Sequence, residues 1–177
     1  MHIEVIYTSD EARAAYGDAG PQYATAGACA IDLRAMIEHP LTILTGEQAM
    51  IPTGIKLHPV FGDHPLKTAQ PPVKLAGLIL PRSGKGSKEG LVLGNTVGLC
   101  DEDYQGEVMI CAWARPIDGY INPSSNRLAG HPVRIEPGER IAQMMFVPAF
   151  QPAFRVVSEF SATTARGDGG FGHSGSM

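Results

Sequence analysis

Apolar positions along this chain fall in short runs. Ile3–Tyr7, Leu41–Leu44, Met50–Leu57, Leu75–Leu80, Leu91–Leu93, Val108–Trp113, Ile141–Val147 and Phe154–Val157 are set apart by glycine, proline and polar clusters. Each run suits a strand and is too short for an ordinary helix. Many short strands punctuated by turn residues predict an all-β sandwich, barrel or jelly roll. Helical signal is confined to two places. Thr8-Ser-Asp-Glu11 has capping-box spacing ahead of Ala12-Arg-Ala-Ala15 and predicts one or two turns. Ser83 offers an N-cap hydroxyl for a second short turn.

Two stretches read as long surface loops. His58–Lys74 holds Pro59, Pro65, Pro71 and Pro72, and Pro116–Arg134 holds Asn122-Pro123, Asn126, Gly130 and Pro132. The tail from Arg166, RGDGGFGHSGSM, has too few apolar residues to fold alone. No repeat or linker divides the chain, so one domain over 1–165 with a mobile 166–177 tail is expected.

Composition narrows the function. The chain has 177 residues, 44% of them hydrophobic, enough for one cored domain. Its 14 basic and 18 acidic residues leave a net charge of -4, which argues against a broad nucleic-acid footprint. A local cation cluster for one small anion remains compatible with it. Cys29, Cys100 and Cys111 are odd in number and lack C-x-x-C spacing, so neither a disulfide framework nor a thiolate zinc site is expected. Buried, reduced thiols in a cytoplasmic protein are the plain expectation. The N-terminus lacks a secretory pattern, and no apolar run reaches the roughly 20 residues of a membrane span.

Three segments carry candidate chemistry. Pro81-Arg-Ser-Gly-Lys-Gly-Ser-Lys88 follows an apolar strand and joins small residues to cations. Backbone N–H groups, a hydroxyl and a guanidinium converging there suit phosphate, although a turn with solvated cations would look the same. The glycine spacing is not that of a Walker A loop. Gly94-Asn-Thr-Val-Gly-Leu-Cys-Asp-Glu-Asp-Tyr-Gln-Gly106 reads as a hairpin followed by acids. Period-2 alternation puts Asp101 and Asp103 on one face and Glu102 on the other. A carboxylate held near phosphate can take a proton from water, and a solvated acidic edge is the competing description. In Gly138-Glu-Arg-Ile-Ala-Gln-Met-Met-Phe-Val147, Gln143 sits among apolar neighbours and calls for a specific partner, structural or ligand. Met109 and Trp113 fit a core strand. The six histidines form no i, i+4 pair, so a protein zinc site is not expected. In the tail, Arg166, Phe171 and Ser174 stand among glycines. They could stack on a base and pair with phosphate, or belong to a loose end.

In order along the chain, these segments resemble the five motifs of the trimeric dUTPase family, in its bacterial form. They are Ala26-Gly-Ala-Cys-Ala-Ile-Asp-Leu-Arg-Ala35, Pro81-Arg-Ser-Gly84, the Gly94–Gly106 segment, Gly138-Glu-Arg-Ile-Ala-Gln143 and Arg166-Gly-Asp-Gly-Gly-Phe-Gly-His-Ser-Gly175. The resemblance implies a distorted jelly roll, a homotrimer with shared sites, and Mg2+-dependent hydrolysis of dUTP to dUMP and pyrophosphate. Such an activity limits uracil incorporation into DNA and supplies dUMP for dTMP synthesis. By the same resemblance Asp101 deprotonates the attacking water. Asn95, Leu99 and Cys100 read uracil, and Tyr104 packs on deoxyribose. Met109 joins the substrate-binding set. Arg82, Ser83, Gly84 and Gln143 hold phosphates, and Asp32 anchors the Mg2+ shell through water. The tail of one subunit closes a neighbour's site, with Arg166 and Ser174 on the γ-phosphate and Phe171 over uracil.

Two positions depart from the family pattern. Ala30 stands where glycine is frequent, and Cys100 where Ile or Val is usual. Both substitutes are small, so little loss is expected. Rival functions on the same fold are a dCTP deaminase, with or without pyrophosphatase activity, and a non-enzymatic module acting through the Pro116–Arg134 insert. The Asp101-Glu-Asp-Tyr104 context favours the pyrophosphatase.

Overall fold

In the computed structural model the described residues are 1–71, 73–117, 120–122, 127–129 and 131–170. The elements run β1 (His2–Tyr7), α1 (Asp10–Tyr16), β2 (Ile31–Arg34), β3 (Leu41–Ile43), β4 (Gln48–Val60), β5 (Val73–Pro81), α2 (Ser83–Lys88), β6 (Leu91–Leu93), β7 (Gly98–Cys100), β8 (Glu107–Ala114), β9 (Tyr120–Asn122), β10 (Arg127–Ala129), β11 (Val133–Ile135) and β12 (Arg140–Phe150). Two antiparallel four-stranded sheets form, ordered β1-β4-β8-β6 and β2-β12-β5-β7, with the ribbons β11-β3 and β10-β9 beside them. The all-β expectation with little helix holds.

Alternation explains the core. Along β8, Val108, Ile110, Ala112 and Ala114 are buried. They meet Ile51 and Ile55 of β4 and Leu33, Ile79 and Met144 of the other sheet in one cluster. Met109, Cys111 and Trp113 take the opposite face of β8 and are only half-buried. The core placement expected for Met109 and Trp113 is thus corrected. A contiguous apolar run does not reveal that every second residue faces outward.

Other expectations change in detail. Phe154–Val157 is not a strand: Phe154 and Val156 are 97% and 98% exposed. Helix α1 starts one residue later than the capping box suggests. Ser9 is its N-cap and its hydroxyl accepts from Ala12 N. Arg82, not Ser83, caps α2, without a side-chain bond. The first loop is shortened by β4 and β5 and holds a 3-10 turn at Pro65–Thr68. The second contains β9 and β10 and ends within β11. Strands β6 and β7 belong to different sheets, so Gly94–Gly98 is a crossover between sheets and not a hairpin. No helix among the described residues is long and apolar enough to cross a membrane.

Candidate active site

Three neighbouring strands build one groove. On β2, Ile31 and Leu33 are buried, so Asp32 faces outward. Gln143 of β12 stands opposite Asp32 on one side and Leu80 of β5 on the other. Its Nε2 donates to the Pro81 carbonyl at 2.9 Å. The partner that Gln143 requires is therefore structural in the free chain. A register shift between Arg140 and Ala142 bends β12. Arg140 and Gln143 are an odd number of residues apart and would otherwise point to opposite faces. The irregularity lets both line the groove.

The groove is ringed by fixed donors. Arg82 Nε lies 2.8 Å from Asp32 Oδ1, and Arg140 Nη1 lies 3.1 Å from Oδ2. Arg82 Nη1 also donates to the Arg140 carbonyl at 3.1 Å. Two guanidinium groups share one carboxylate, which leaves the cluster locally positive inside a net-acidic chain. Ser83 and Gly84 are exposed on its wall, and a side chain at Gly84 would meet nothing within 4 Å. The first N–H groups of α2 have no helical acceptor and are free for an anion. The open volume is about 530 Å³, within the range of small-molecule sites. Arg140 was absent from the sequence-based candidates. The bulge that turns it toward the groove leaves no periodic signature.

Lys85 fixes the base of this wall. Its ammonium pairs with Glu89 at 2.7 Å and with Glu139 in the turn before β12. Burial acts to lower the Lys85 pKa, but the hydrogen bonds with Glu139 and Glu89 outweigh it and the net direction is upward. Burial likewise works to raise Glu139, and the Lys85 bond overrides it, so Glu139 is held below the usual carboxylate range.

A second group lies at the end of β7. Gly98 packs so closely on Ile79 that a Cβ would lie 2.9 Å from its Cβ. A Cβ at Gly94 would lie 2.7 Å from the Gln48 side chain, and its N–H donates to the Cys111 carbonyl at 2.8 Å. These glycines hold the crossover that carries Asn95, which is exposed. Leu99 is 64% exposed at the sheet edge. The Cys100 thiol is half-buried. Burial first, and the Asp101 charge second, push its pKa up, which makes it a poor nucleophile.

Asp101, Glu102 and Asp103 form a turn and not a strand, closed by Tyr104 N donating to the Asp101 carbonyl at 3.1 Å. The expected alternation of these acids therefore does not apply. Asp101 is exposed, and its carboxylate has no hydrogen-bond or ion-pair partner among the described residues. The Tyr104 hydroxyl donates to the Glu107 carbonyl at 3.0 Å and its ring covers Gly106. Asp101 and Leu99 line a groove of about 400 Å³ that is separate from the Arg82 groove. The structure thus gathers Asp32, Arg82, Ser83, Gly84 and Gln143 in one groove, while Cys100, Asp101 and Tyr104 line a second cavity and Leu99 meets Asp101 in a third; Asn95 lines none of them. Met109 faces Pro52 on β4 and lines neither groove. Arg166 is exposed and donates to Gly169 within its own tail. Phe171 and Ser174 lie outside the described residues.

Among the described residues no three His, Cys, Asp or Glu side chains converge as metal ligands. Asp32 is the one acid of the Arg82 groove, and each of its oxygens faces an arginine. This donor set fits a divalent ion brought in on phosphate oxygens, not an all-protein cage.

Comparison with known proteins gives the family. The dUTPase family model matches residues 19–175. The deoxyuridine 5'-triphosphate nucleotidohydrolase of Glaesserella parasuis serovar 5 (strain SH0165) is 47% identical over 155 residues, covering 88% of this chain and 86% of that protein. The structure of the Staphylococcus bacteriophage 80alpha dUTPase with dUPNHPP superposes with a TM-score of 0.72 at 26% identity, over 98% of each chain. The D95N dUTPase from phage phi11 of S. aureus, described as coordinating a structural Mg(II) ion, shares the fold at a TM-score of 0.65 and 23% identity, over 92% of this chain and 100% of that one. The jelly-roll-like sandwich, the motif positions and the match over most of its length show that the chain belongs to the dUTPase family.

Proposed function

We propose that the chain hydrolyses dUTP by water attack at the α-phosphorus, with Asp101 as general base. The chain is a dUTP diphosphatase. In the proposed step the water oxygen bonds to the α-phosphorus and its proton passes to the Asp101 carboxylate. The bond to the bridging oxygen breaks, releasing pyrophosphate and leaving dUMP. A solvent-facing carboxylate with no partner among the described residues can take that proton.

The observation that carries the reading is the cationic groove in which Arg82, Ser83, Gly84 and Arg140 surround Asp32. These donors suit a triphosphate, and hydrolysis of such a group depends mainly on positioning and charge neutralisation. Gln143 keeps its amide fixed through Pro81 and can present its free oxygen or second N–H to a bridging water. Mg2+ bound to the phosphates would supply further neutralisation, and Asp32 would hold its hydration shell. Asn95, Leu99 and Cys100 would read uracil, and Tyr104 would pack on the deoxyribose.

A homotrimer is part of the proposal. Asp101 and the Arg82 group line separate grooves of one chain, which supports a site completed by a second copy. The tail at 166–177, with Arg166, Phe171 and Ser174, would close a neighbour's site. The exposure of residues 151–168 supports a docking partner outside their own chain. The three unbridged cysteines support a reducing, cytoplasmic setting.

The test is pyrophosphate release from a panel of deoxynucleoside triphosphates with and without Mg2+. Turnover of dUTP alone, lost on chelation, is expected. Ammonia from dCTP would identify a deaminase instead.

A further inference from the structure

The acidic turn holds a second carboxylate that the proposed reaction does not use. Glu102 is mostly buried, with 22% of its side chain exposed. Its Oε2 accepts from Leu75 N at 2.9 Å, and its Oε1 accepts from Lys74 Nζ at 3.0 Å. Leu75 is one of the buried residues of β5.

The register gives these bonds their meaning. Strand β7 pairs with β5 as Gly98 to Ile79, Leu99 to Leu78 and Cys100 to Gly77, and there it stops. Continued by two residues, the same register would set Glu102 opposite Leu75. The backbone instead turns away at Asp101, and Leu75 N–H loses the carbonyl a continuing strand would offer. The Glu102 carboxylate takes that N–H. A side chain thus replaces the missing rung of the ladder, and a buried donor that would otherwise lack an acceptor is satisfied. Asp101 is held on both sides: by the last true rung at Cys100 and by the anchored Glu102. The bond from Tyr104 N to the Asp101 carbonyl closes the same turn.

We infer that Glu102 is a positioning residue for Asp101: it fixes the turn so that the neighbouring carboxylate stands outside the sheet, clear of any partner among the described residues. This rests on the reading of Asp101 as the base. Lys74 is the lesser partner, since its side chain is 43% exposed and the pair is screened.

Steady-state kinetics on the full-length protein test the inference, with thermal unfolding as the fold control. Glu102→Ala is expected to lower kcat roughly ten- to hundredfold, the scale on which displacing a reacting group by about 1 Å acts. KM should stay within about threefold, because the Arg82 groove is untouched. Glu102→Gln keeps an oxygen for Leu75 N–H and should recover most of kcat. Lys74→Met should be near normal. A role in stability alone predicts less folded protein with unchanged kcat per folded molecule, and that result overturns the inference. So does a glutamine variant no better than alanine. If the alanine variant does not fold, Glu102→Asp, one methylene short of Leu75, takes its place: lowered kcat with retained fold is expected, and full kcat overturns the idea. Asp101→Asn is assayed alongside. Its retained turnover would refute the base assignment itself, whereas an inactive Asp101→Asn beside a normal Glu102→Ala refutes only the positioning role.

Discussion

Arg82 Nε lies 2.8 Å from Asp32 Oδ1, so a residue just beyond β5 is locked to a residue of β2 across the intervening β12. The lock aims the guanidinium before any ligand arrives. Removing the side chain as Arg82→Ala should cost about 1.5–3 kcal/mol of charge-assisted bonding, or roughly ten- to hundredfold in kcat/KM. Arg82→Lys should recover only part of this, since an ammonium cannot reproduce the planar fork. Initial-rate measurements across dUTP concentrations check both. An Arg82→Ala variant with ordinary kcat/KM would remove this groove from the phosphate site.

Asp101 is exposed and has no partner among the described residues. Glu102 of the same turn is committed to β5, and Asp32 of the other groove to two arginines; Asp103 has no partner among the described residues either, and the family motif is what selects Asp101. Asp101→Asn is nearly isosteric and should leave the fold and dUTP binding intact. Turnover should fall by about 10²–10⁴-fold, the usual contribution of a general base. Calorimetric binding of a non-hydrolysable analogue, set beside pyrophosphate release, separates the two effects.

The backbone of β4 supplies a stability prediction. Gly54 sits at φ 75°, where its N–H donates to Glu107 Oε1 at 2.7 Å and the pairing with β8 shifts register. A Cβ there would lie 2.6 Å from Ala12 Cβ and 2.7 Å from Met36 Cγ. Gly54→Ala therefore combines an unfavourable backbone conformation with a clash, together about 2–4 kcal/mol. The midpoint of thermal unfolding should drop by about 6 °C or more. A shift under about 2 °C would show that α1 yields at little cost.

Much of this architecture is legible in the chain. Seven of the eight apolar runs became strands because short alternating segments bounded by turn residues have few other ways to bury a face. Phe154–Val157 is no strand because a strand needs a neighbour as well as a pattern, and the described residues of its own chain offer none. The motif residues were readable one by one, but their grouping was not. The bulge in β12 brings Arg140 beside Gln143, and the crossover at Gly94–Gly98 sends β6 and β7 to different sheets. Both are breaks in periodicity, which a periodic reading passes over. Glu102 is a further case: alternation places it on the face opposite Asp101, and the turn instead brings its carboxylate to β5.

The Lys85–Glu139 pair predicts a pH dependence. Glu139 has its pKa lowered in the folded chain, so its contribution is present above the ordinary value of 4.5 and is lost as pH falls through the lower folded value. Lys85 has its pKa raised, so its contribution is present below the ordinary 10.5 and is lost as pH rises through the higher folded value. The pair therefore operates across the neutral range. Lys85→Met should reduce stability at pH 7 by about 1 kcal/mol and should converge with the parent below the Glu139 titration. Urea unfolding at several pH values reads this out. A constant difference down to strongly acidic pH would mean that packing of the Lys85 stem, and not the ion pair, is what was lost.

The tail provides the last prediction. Residues 151–160 are exposed throughout, and Phe154, Val156 and Phe160 are apolar side chains with almost no cover from their own chain. Beyond them the Gly-rich segment from Arg166 has little reason to fold alone. These two parts should separate by function. A chain ending at Ala165 keeps the apolar strap and loses only the segment expected to close over substrate. It should assemble as the full chain does, with kcat reduced roughly tenfold or more through a site left open to water. A chain ending at Phe150 loses the strap as well, and with it the surface that a neighbouring copy would cover, so assembly should weaken too. Light scattering with dUTP turnover distinguishes the cases. Full activity of the chain ending at Ala165 would remove the tail from the site, and unchanged assembly of the chain ending at Phe150 would leave Phe154, Val156 and Phe160 without the proposed partner.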